Sequence, residues 1–174
     1  MRRVRYRVAM SLDGYIAGPH GEIDWIVPDP TVNFSEVYAG FDTALLGRRT
    51  YELTRQPGAP PWPQGWRIYV FSGTLTPADH PAVTVVAPPP GPLVQALRLE
   101  SGRDIWLFGG GQLFSTLLAD RVVDDVEVAV MPVLLGEGVP LLPKPPRGRL
   151  RLVQAATTPS GIVNIHYQID YQAG

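Results

Sequence analysis

The sequence predicts an α/β fold with a mainly parallel, mixed β-sheet, helices on both faces and a C-terminal antiparallel hairpin. Strand-length apolar runs alternate with segments of helical periodicity along most of the chain, which is typical of strands joined by crossover helices. Near the end, two alternating segments are separated only by Pro159-Ser160-Gly161, which favours a hairpin. The predicted order is βαβαββαβαβββ, and its total of about eight strands is an ordinary size for a sheet.

The composition is that of an ordinary folded protein. The chain has 174 residues, 45% of them hydrophobic and 18% charged, with a formal net charge of −1. This length suggests a single domain over residues 1–174, and the near-zero charge gives no indication of a nucleic-acid partner. There is no cysteine, which excludes disulfides, thiolate catalysis and Cys-based metal sites.

Several other classes of protein find no support in the sequence. The start, Met1-Arg2-Arg3, lacks the apolar core of a signal peptide, and no apolar run reaches membrane-spanning length. The three histidines are scattered without metal-ligand spacing. We therefore expect a cytoplasmic protein without a membrane partner or a metal site.

Eight segments have the alternation or the apolar continuity of β-strands. In the first, Val4, Tyr6, Val8 and Met10 alternate with arginines. The second is a short continuous apolar run, as expected for a strand buried on both faces. The predicted strands cover residues 4–12, 43–46, 67–71, 83–86, 105–108, 125–133, 149–155 and 162–171.

Four helices are predicted between these strands. Thr31 is a candidate N-cap for the first, and Gly40 is a candidate stop for it. In the fourth, Leu113 and Leu117 have helical spacing. The predicted helices cover residues 32–40, a short segment from Tyr51, residues 93–100 and a segment that ends at Asp120.

The predicted strand 105–108 runs directly into Gly109-Gly110-Gly111 and then into a helix. Glycine permits positive φ angles and has no Cβ, and a helix start offers unpaired N–H groups and a partial positive charge. This arrangement lets a backbone approach a phosphate. The alternative is a tight turn between strand and helix that binds nothing.

Two further strand ends have similar chemistry. Gly47-Arg48-Arg49-Thr50 follows the second predicted strand, and Ser72-Gly73-Thr74 follows the third. The ends of parallel strands meet at one edge of a sheet, and a charged hydrogen bond to phosphate contributes roughly 1.5–3 kcal/mol. The alternative to an anion site is that Arg48 and Arg49 are solvent-exposed residues at the start of a helix. Cations there oppose the helix dipole, however, and a bound anion would remove the conflict.

At this point the motifs resemble a known family. Residues 8–17, 46–52 and 108–113 resemble the dihydrofolate reductase superfamily. Residues 132–142 narrow the resemblance to the branch of the C-terminal reductase domain of the bifunctional riboflavin-biosynthesis deaminase–reductase. The resemblance covers nearly the whole chain in the family's order. Because no deaminase-like segment precedes it in these 174 residues, we expect a free-standing member.

The resemblance implies NADPH as hydride donor. By position, Ala9 and Ile16 would hold the nicotinamide carboxamide through their backbones, and Ser72 would help to hold the 2′-phosphate. The remaining phosphates would be bound by two motifs, Gly47, Arg48, Arg49 and Thr50 on the adenosine side and Gly109, Gly110, Gly111, Gln112 and Leu113 at the pyrophosphate.

The substrate half departs from dihydrofolate reductases, which place a carboxylate at the start of the helix after the tryptophan. Counting from Trp25 gives Pro30 and counting back from Gly47 gives Thr31, neither of them acidic. The neighbouring Asp29 is the candidate catalytic residue, with a turn residue between two prolines as the alternative. Weaker candidates are Asp13, Asp24 and Glu36. The candidate walls of the substrate pocket are Trp25 and Phe34.

Together, the motifs and the resemblance suggest an NADPH-dependent reductase. Its hydride acceptor would be a C=O or C=N group of a small heterocyclic or sugar-derived molecule, as for 5-amino-6-(5-phosphoribosylamino)uracil reductases. The alternatives are a weak or broad-specificity dihydrofolate reductase-like enzyme, a nucleotide-binding module without turnover and an α/β domain that binds no nucleotide. Because members of this branch commonly pair, we also expect a homodimer.

Overall fold

The computed structural model describes residues 1–143 and 148–171 of the chain. The strands are β1 (Val4–Ser11), β2 (Tyr15–Ala17), β3 (Phe41–Gly47), β4 (Arg67–Phe71), β5 (Thr84–Val86), β6 (Asp104–Gly109), β7 (Asp125–Met131), β8 (Val139–Pro140), β9 (Arg149–Thr157) and β10 (Val163–Asp170). The helices are α1 (Phe34–Ala39), α2 (Arg48–Leu53), α3 (Gly91–Leu99) and α4 (Gly111–Ala119), and a 3₁₀ turn covers Pro77–Asp79.

Eight of the strands form one mixed sheet in the order β5-β4-β3-β6-β1-β7-β10-β9. The first six are mutually parallel, whereas β10 runs antiparallel to β7 and β9 antiparallel to β10. The turn between β9 and β10 is closed by hydrogen bonds from Thr158 N to Ile162 O and from Gly161 N to Thr158 O, both 3.0 Å. This topology confirms the predicted mixed sheet and its C-terminal hairpin.

Helices pack on both faces of the sheet. Successive side chains of a strand point to opposite faces, so a strand of continuous apolar residues contacts helices on both sides. On one face, Tyr6 of β1 and Leu107 of β6 pack in a buried cluster with Leu117 of α4. On the other, Leu46 of β3 packs with Tyr51 of α2. The prediction of a sheet covered on both faces is confirmed.

Arg3, just before β1, and the arginines on the second face of β1 pair with acidic residues of β7. Arg3 donates from Nε and Nη2 to the two carboxylate oxygens of Asp125, both at 2.7 Å. Arg5 donates from Nε to Glu127 at 2.6 Å. Both carboxylates are buried, so each has a guanidinium partner in place of water. The alternation of β1 therefore separates an apolar face from a charged one.

Helices α1, α2 and α3 begin at other residues than predicted, and α3 begins at Gly91 rather than at residue 93. The N-cap of α1 is Asn33, not Thr31, because Asn33 Oδ1 accepts from Ser35 N at 3.1 Å. The Thr31 hydroxyl instead donates to Asp29. Helix α2 begins at Arg48 rather than at Tyr51, so both arginines of the predicted anion site belong to its first turn.

A second, two-stranded sheet was not predicted. Strands β2 and β8 pair antiparallel, with Tyr15 opposite Pro140 and Ala17 opposite Val139. Neither strand was among the predicted ones, because two or three residues are too few to show a period. Their close approach requires Gly138, where a Cβ would lie 2.2 Å from Ala17 O. This ribbon joins the chain after β1 to the chain after β7.

Candidate functional site

The sheet order creates a crevice between β3 and β6. These strands are neighbours, but β3 continues through α2 to β4 on one side, whereas β6 continues through α4 to β7 on the other. Such switch points, at the carboxyl ends of the strands, are where open α/β sheets bind ligands. The cleft here has a volume of about 2440 Å³. Because a single small-molecule pocket has roughly 300–1,000 Å³, this cleft has room for two ligands.

The triple glycine turn lies where β6 meets this cleft. Gly109 has a φ of +131°, in the region that favours glycine. A Cβ on Gly110 would lie 3.2 Å from Thr50 Oγ1. A Cβ on Gly111 would lie 2.8 Å from Pro140 O and 2.9 Å from Leu141 O. The third glycine is therefore required by the packing of the end of β8 and the residue after it, whether or not a ligand binds.

The N-terminus of α4 opens into the cleft. Phe114 N, at 3.1 Å from Gly110 O, makes the first bond of the helical ladder. The N–H groups of Gly111, Gln112 and Leu113 precede that bond and have no acceptor within the helix. All three residues line the cleft. Together with the partial positive charge of the helix start, these N–H groups suit an anion such as a pyrophosphate.

The ends of β3 and β4 add a cation and two hydroxyl groups. Arg48 donates from Nη1 to Thr74 Oγ1 at 3.0 Å and from Nε to Glu52 at 2.8 Å. Ser72 Oγ, which is buried, accepts from Thr74 N and Leu75 N, both at 3.1 Å. These two N–H groups occupy the acceptor side of Ser72 Oγ, so its O–H proton can be donated to Thr74 or to a ligand.

Thr74 was not among the predicted cofactor residues, although it lies in the same turn as Ser72 and also lines the cleft. Arg49 also lines the cleft, is exposed and, within the described part of the chain, makes no hydrogen bond or ion pair. Its guanidinium thus remains available to an anionic ligand.

The structure brings nearly all of the predicted cofactor residues to this one cleft. Those that line it are Ala9, Ile16, Gly47, Arg48, Arg49, Thr50, Ser72, Gly110, Gly111, Gln112 and Leu113. Gly109 is buried behind the lining. Phe34 also lines the cleft and is 59% exposed. Trp25 lies outside the lining, and its Nε1 donates to Glu22 O at 3.0 Å within its own loop.

Asp29 lines the cleft with its carboxylate already hydrogen-bonded. Oδ1 accepts from Thr31 N at 2.8 Å and from Thr31 Oγ1 at 2.6 Å, and Oδ2 accepts from Ser160 Oγ at 2.6 Å. The hydrogen bond from Ser160 and those from Thr31 and Thr158 lower the pKa of Asp29 below its usual range. At neutral pH this group is therefore an ionised acceptor, without a proton to give.

A row of aromatic rings, here called the aromatic wall, forms another side of the cleft. Its successive centroids lie 5.1–6.0 Å apart, from Phe34 through Tyr38, Trp106 and Phe108 to Trp62. Of these rings, only Phe34 was predicted as a wall of the pocket, and Tyr38, Trp62, Trp106 and Phe108 were not predicted for the site. The one local signal was a tryptophan in the proline-rich loop 56–65.

A cation lies at the charged face of β1. Arg7 lines the cleft and donates from Nη1 to Glu127 Oε2 at 3.2 Å, while the other oxygen of Glu127 accepts from Arg5. Arg5 also donates to Asp104 at 3.3 Å. Arg5 therefore has two carboxylate partners, whereas Arg7 has one, which it shares with Arg5. Burial lowers the pKa of Arg7, which is the direction expected where the charge is incompletely compensated.

The described residues form neither a metal site nor a membrane-spanning helix. Within residues 1–143 and 148–171, no three His, Asp or Glu side chains gather closely enough to hold a metal ion. Over the same ranges, no helix has both the length and the hydropathy needed to cross a bilayer.

Comparison with known proteins places the chain in a family. The model of the RibD C-terminal domain matches residues 2–164, and the chain belongs to that family. YyaP, an uncharacterized protein of Bacillus subtilis (strain 168), is 34% identical over 181 residues, which cover 95% of this chain and 94% of YyaP.

Solved structures share the fold. A protein from Shewanella sp. PV-4 named for riboflavin biosynthesis superposes with a TM-score of 0.82 at 24% identity, over 98% of this chain and 99% of that one. Dihydrofolate reductase from Enterococcus faecalis, solved with NADP(H), gives 0.72 at 18% identity, over 97% and 96%. The Thermotoga maritima diaminohydroxyphosphoribosylaminopyrimidine deaminase/5-amino-6-(5-phosphoribosylamino)uracil reductase gives 0.70 at 17%, over 97% of this chain and 57% of that one. The predicted dihydrofolate reductase-like fold is thereby confirmed.

Proposed function

We propose that the protein is an NADPH-dependent reductase that transfers hydride to a C=O or C=N group of a small heterocyclic substrate. The observation that carries this proposal is the convergence of three phosphate-suited strand ends on one cleft in a member of the RibD C-terminal domain family. The Enterococcus faecalis neighbour, whose structure holds NADP(H), supports the choice of cofactor.

The residues of the cleft fit a dinucleotide. The helix start at Gly111–Leu113 would bind the pyrophosphate, and Arg49 supplies a guanidinium that has no partner among the described residues. Arg48, Ser72 and Thr74 would hold the 2′-phosphate, since their donors meet between the ends of β3 and β4. The nicotinamide would supply the hydride, and the protein its orientation and electrostatics.

The nicotinamide end is proposed to lie at Ala9 and Ile16. Ala9 is paired with Ala129 across β1 and β7, and both line the cleft. Two methyl side chains leave the floor of the cleft low, so that a flat ring can lie close to the sheet. Ile16 belongs to the β2–β8 ribbon above this floor and would contribute its backbone to the carboxamide.

The substrate half suits a flat ring with an anionic substituent. The aromatic wall offers ring faces for stacking, and Arg7 offers a guanidinium whose charge Glu127 shares with Arg5. A phosphorylated aminopyrimidine has both features. The name of the Thermotoga maritima neighbour specifies such a substrate, 5-amino-6-(5-phosphoribosylamino)uracil, and we propose the same substrate class here.

The first experiment is a thermal-shift titration with NADPH and NADH in parallel. At a hundred times its Kd a ligand adds about 2.7 kcal/mol to the free energy of unfolding, which is easily measured. We expect the larger shift with NADPH. The next step is to follow NADPH oxidation at 340 nm with 5-amino-6-(5-phosphoribosylamino)uracil and with dihydrofolate. No shift with either nucleotide would contradict the proposal.

We further propose that the protein is a homodimer formed through β9. Every residue of this edge strand is exposed, and Leu150, Leu152 and Val153 are each at least 50% exposed. Exposed apolar side chains on a sheet edge are suited to pair with another chain. Light scattering is expected to give twice the chain mass for the wild type and the single-chain mass for L152R. A wild-type monomer at working concentration would contradict the proposal.

A further inference from the structure

The loop over residues 18–32, between β2 and α1, lines much of the substrate half of the cleft. Its backbone hydrogen bonds stay within the loop, as from Ile26 N to Ile23 O and from Val32 N to Asp29 O, both at 3.2 Å. Over the described residues, its hydrogen bonds to another element converge on the Asp29 carboxylate, which is bound from the turn of the β9–β10 hairpin.

The partner of this carboxylate is firmly placed. Ser160 Oγ donates to Asp29 Oδ2 at 2.6 Å across 131 positions of sequence, and lies 2.7 Å from Thr158 Oγ1. The turn itself is closed by two backbone hydrogen bonds of Thr158, whose N–H donates to Ile162 O and whose C=O accepts from Gly161 N. Next to it, Ile162 is buried and lines the cleft. A loop with few anchors is thus tied to a rigid point of the sheet.

The other oxygen of Asp29 serves the loop itself. Oδ1 accepts from the N–H and the hydroxyl of Thr31, which closes a turn around Pro30. The carboxylate therefore joins two functions in one group, since one oxygen shapes the loop and the other attaches it. With both oxygens accepting, Asp29 has no proton to transfer to a substrate, and its lowered pKa agrees with this.

We infer that Asp29 and Ser160 are positioning residues, whose hydrogen bond holds loop 18–32 against the hairpin turn and sets the width of the substrate half of the cleft. The inference rests on the proposed function only for its effect on turnover. Loss of the bond frees the segment that carries Val27, Pro30 and Val32, all of which line the cleft. The acceptor then binds more weakly, while the adenosine end, at Arg48 and Arg49, is unaffected.

Amide hydrogen exchange of the ligand-free protein tests the anchor directly. In S160A, amides of residues 18–32 are expected to exchange about tenfold faster, the factor expected for a lost hydrogen bond to a charged group. T31V is the matched control, because it removes another 2.6 Å hydroxyl bond to the same carboxylate but leaves the link to the hairpin. S160T, which keeps the hydroxyl, should restore wild-type exchange. Equal exchange in wild type, S160A and T31V would overturn the inference.

A second variant and a kinetic measurement separate positioning from folding and from catalysis. D29A should loosen the loop at least as much as S160A, because it also removes the two bonds from Thr31. The double variant should add nothing to D29A, because the bond between Asp29 and Ser160 is already lost there. With NADPH and 5-amino-6-(5-phosphoribosylamino)uracil, S160A is expected to raise KM for the acceptor severalfold with little change in kcat. A loss confined to kcat in D29A would make Asp29 a catalytic group and overturn the inference. If NADPH does not bind at all, the proposed function fails, whereas hydrogen exchange still decides the role of Ser160.

Discussion

Arg48 donates from Nη1 to Thr74 Oγ1 at 3.0 Å and thereby joins the carboxyl end of β3 to that of β4. Ser72 shares this junction, because its hydroxyl oxygen accepts from Thr74 N. A cation and two hydroxyl groups at one point match the extra phosphate that distinguishes NADPH from NADH. If the protein binds NADPH as we propose, its preference for NADPH over NADH would depend on these side chains.

Replacing Arg48 is expected to remove this preference. R48A should weaken NADPH binding by about tenfold, as expected for one charged hydrogen bond at an exposed site, and should change NADH binding little. Tryptophan fluorescence titration with each nucleotide measures both values. R55A is the control, because Arg55 is an exposed arginine on the same stretch of chain but outside the cleft lining. Equal losses for NADPH and NADH in R48A would contradict the assignment.

Gly111 is expected to tolerate no side chain. In G111A the new methyl group would lie within 3 Å of two backbone carbonyl oxygens, those of Pro140 and Leu141. Because backbone cannot rotate away as a side chain does, overpacking should lower the free energy of unfolding by about 1–3 kcal/mol. Urea denaturation measures this loss. In G73A, the control, no atom lies within 4 Å of the added Cβ, and the same midpoint for both variants would refute the explanation.

The pattern of the chain made the fold predictable but gave little information about contacts between distant segments. The strand predicted over 67–71 is β4 to the residue, because an apolar run with a turn at each end is a local signal. The glycines, arginines and hydroxyls of the proposed cofactor half also directly follow strand ends, so the sequence alone predicted that they meet at one cleft. The predictions failed for β2 and β8, which are stabilised by each other and carry no period of their own.

The substrate half shows the same limit. The aromatic wall brings together α1, β6 and the loop before β4, and nothing in any one segment predicts the others. The hydrogen bond between Asp29 and Ser160 joins two turns, and each turn has its own internal hydrogen bonds, so neither sequence segment indicates the other as its partner. A carboxylate between prolines suggested either a turn or an acid, and only the position of the hairpin shows which donors surround it.

Asp13 should make stability depend on pH in acid. The hydrogen bond from Ser11 and those from the backbone N–H groups of Gly136 and Leu135 lower its pKa from 3.8 to about 2. A carboxyl group with a lowered folded-state pKa stabilises fully above its unfolded value, and this contribution is lost as pH falls from about 4 to about 2. The free energy of unfolding of wild type should therefore fall more steeply over this range than that of D13N.

Urea denaturation at several pH values gives both slopes for this comparison. D24N is the control, because Asp24 is exposed and makes no hydrogen bond within the described residues. Its slope should match that of wild type. Parallel curves for wild type and D13N would show that the contacts of Asp13 with the loop after β7 do not persist in solution.

Arg7 should act on the substrate and not on the cofactor. It lies on the charged face of β1, where Glu127 is shared with Arg5, whereas the proposed contacts with the phosphates of the cofactor are at the ends of β3, β4 and β6. If it binds the anionic group of the acceptor, R7A removes a charged hydrogen bond and should raise KM for 5-amino-6-(5-phosphoribosylamino)uracil by about tenfold or more. The Kd for NADPH should stay within about twofold, well below the effect of one lost hydrogen bond.

R7K is the matched variant for this test, because lysine keeps the charge but not the planar fork of donors. We expect R7K to recover part of the lost affinity for a phosphorylated acceptor. For an acceptor without a phosphate group, wild type, R7K and R7A should have similar KM values, since no anion is present to be recognised. Steady-state kinetics with both kinds of acceptor give the comparison. A rise in the Kd for NADPH in R7A, with KM for the acceptor unchanged, would move Arg7 from the substrate half of the cleft to the cofactor half.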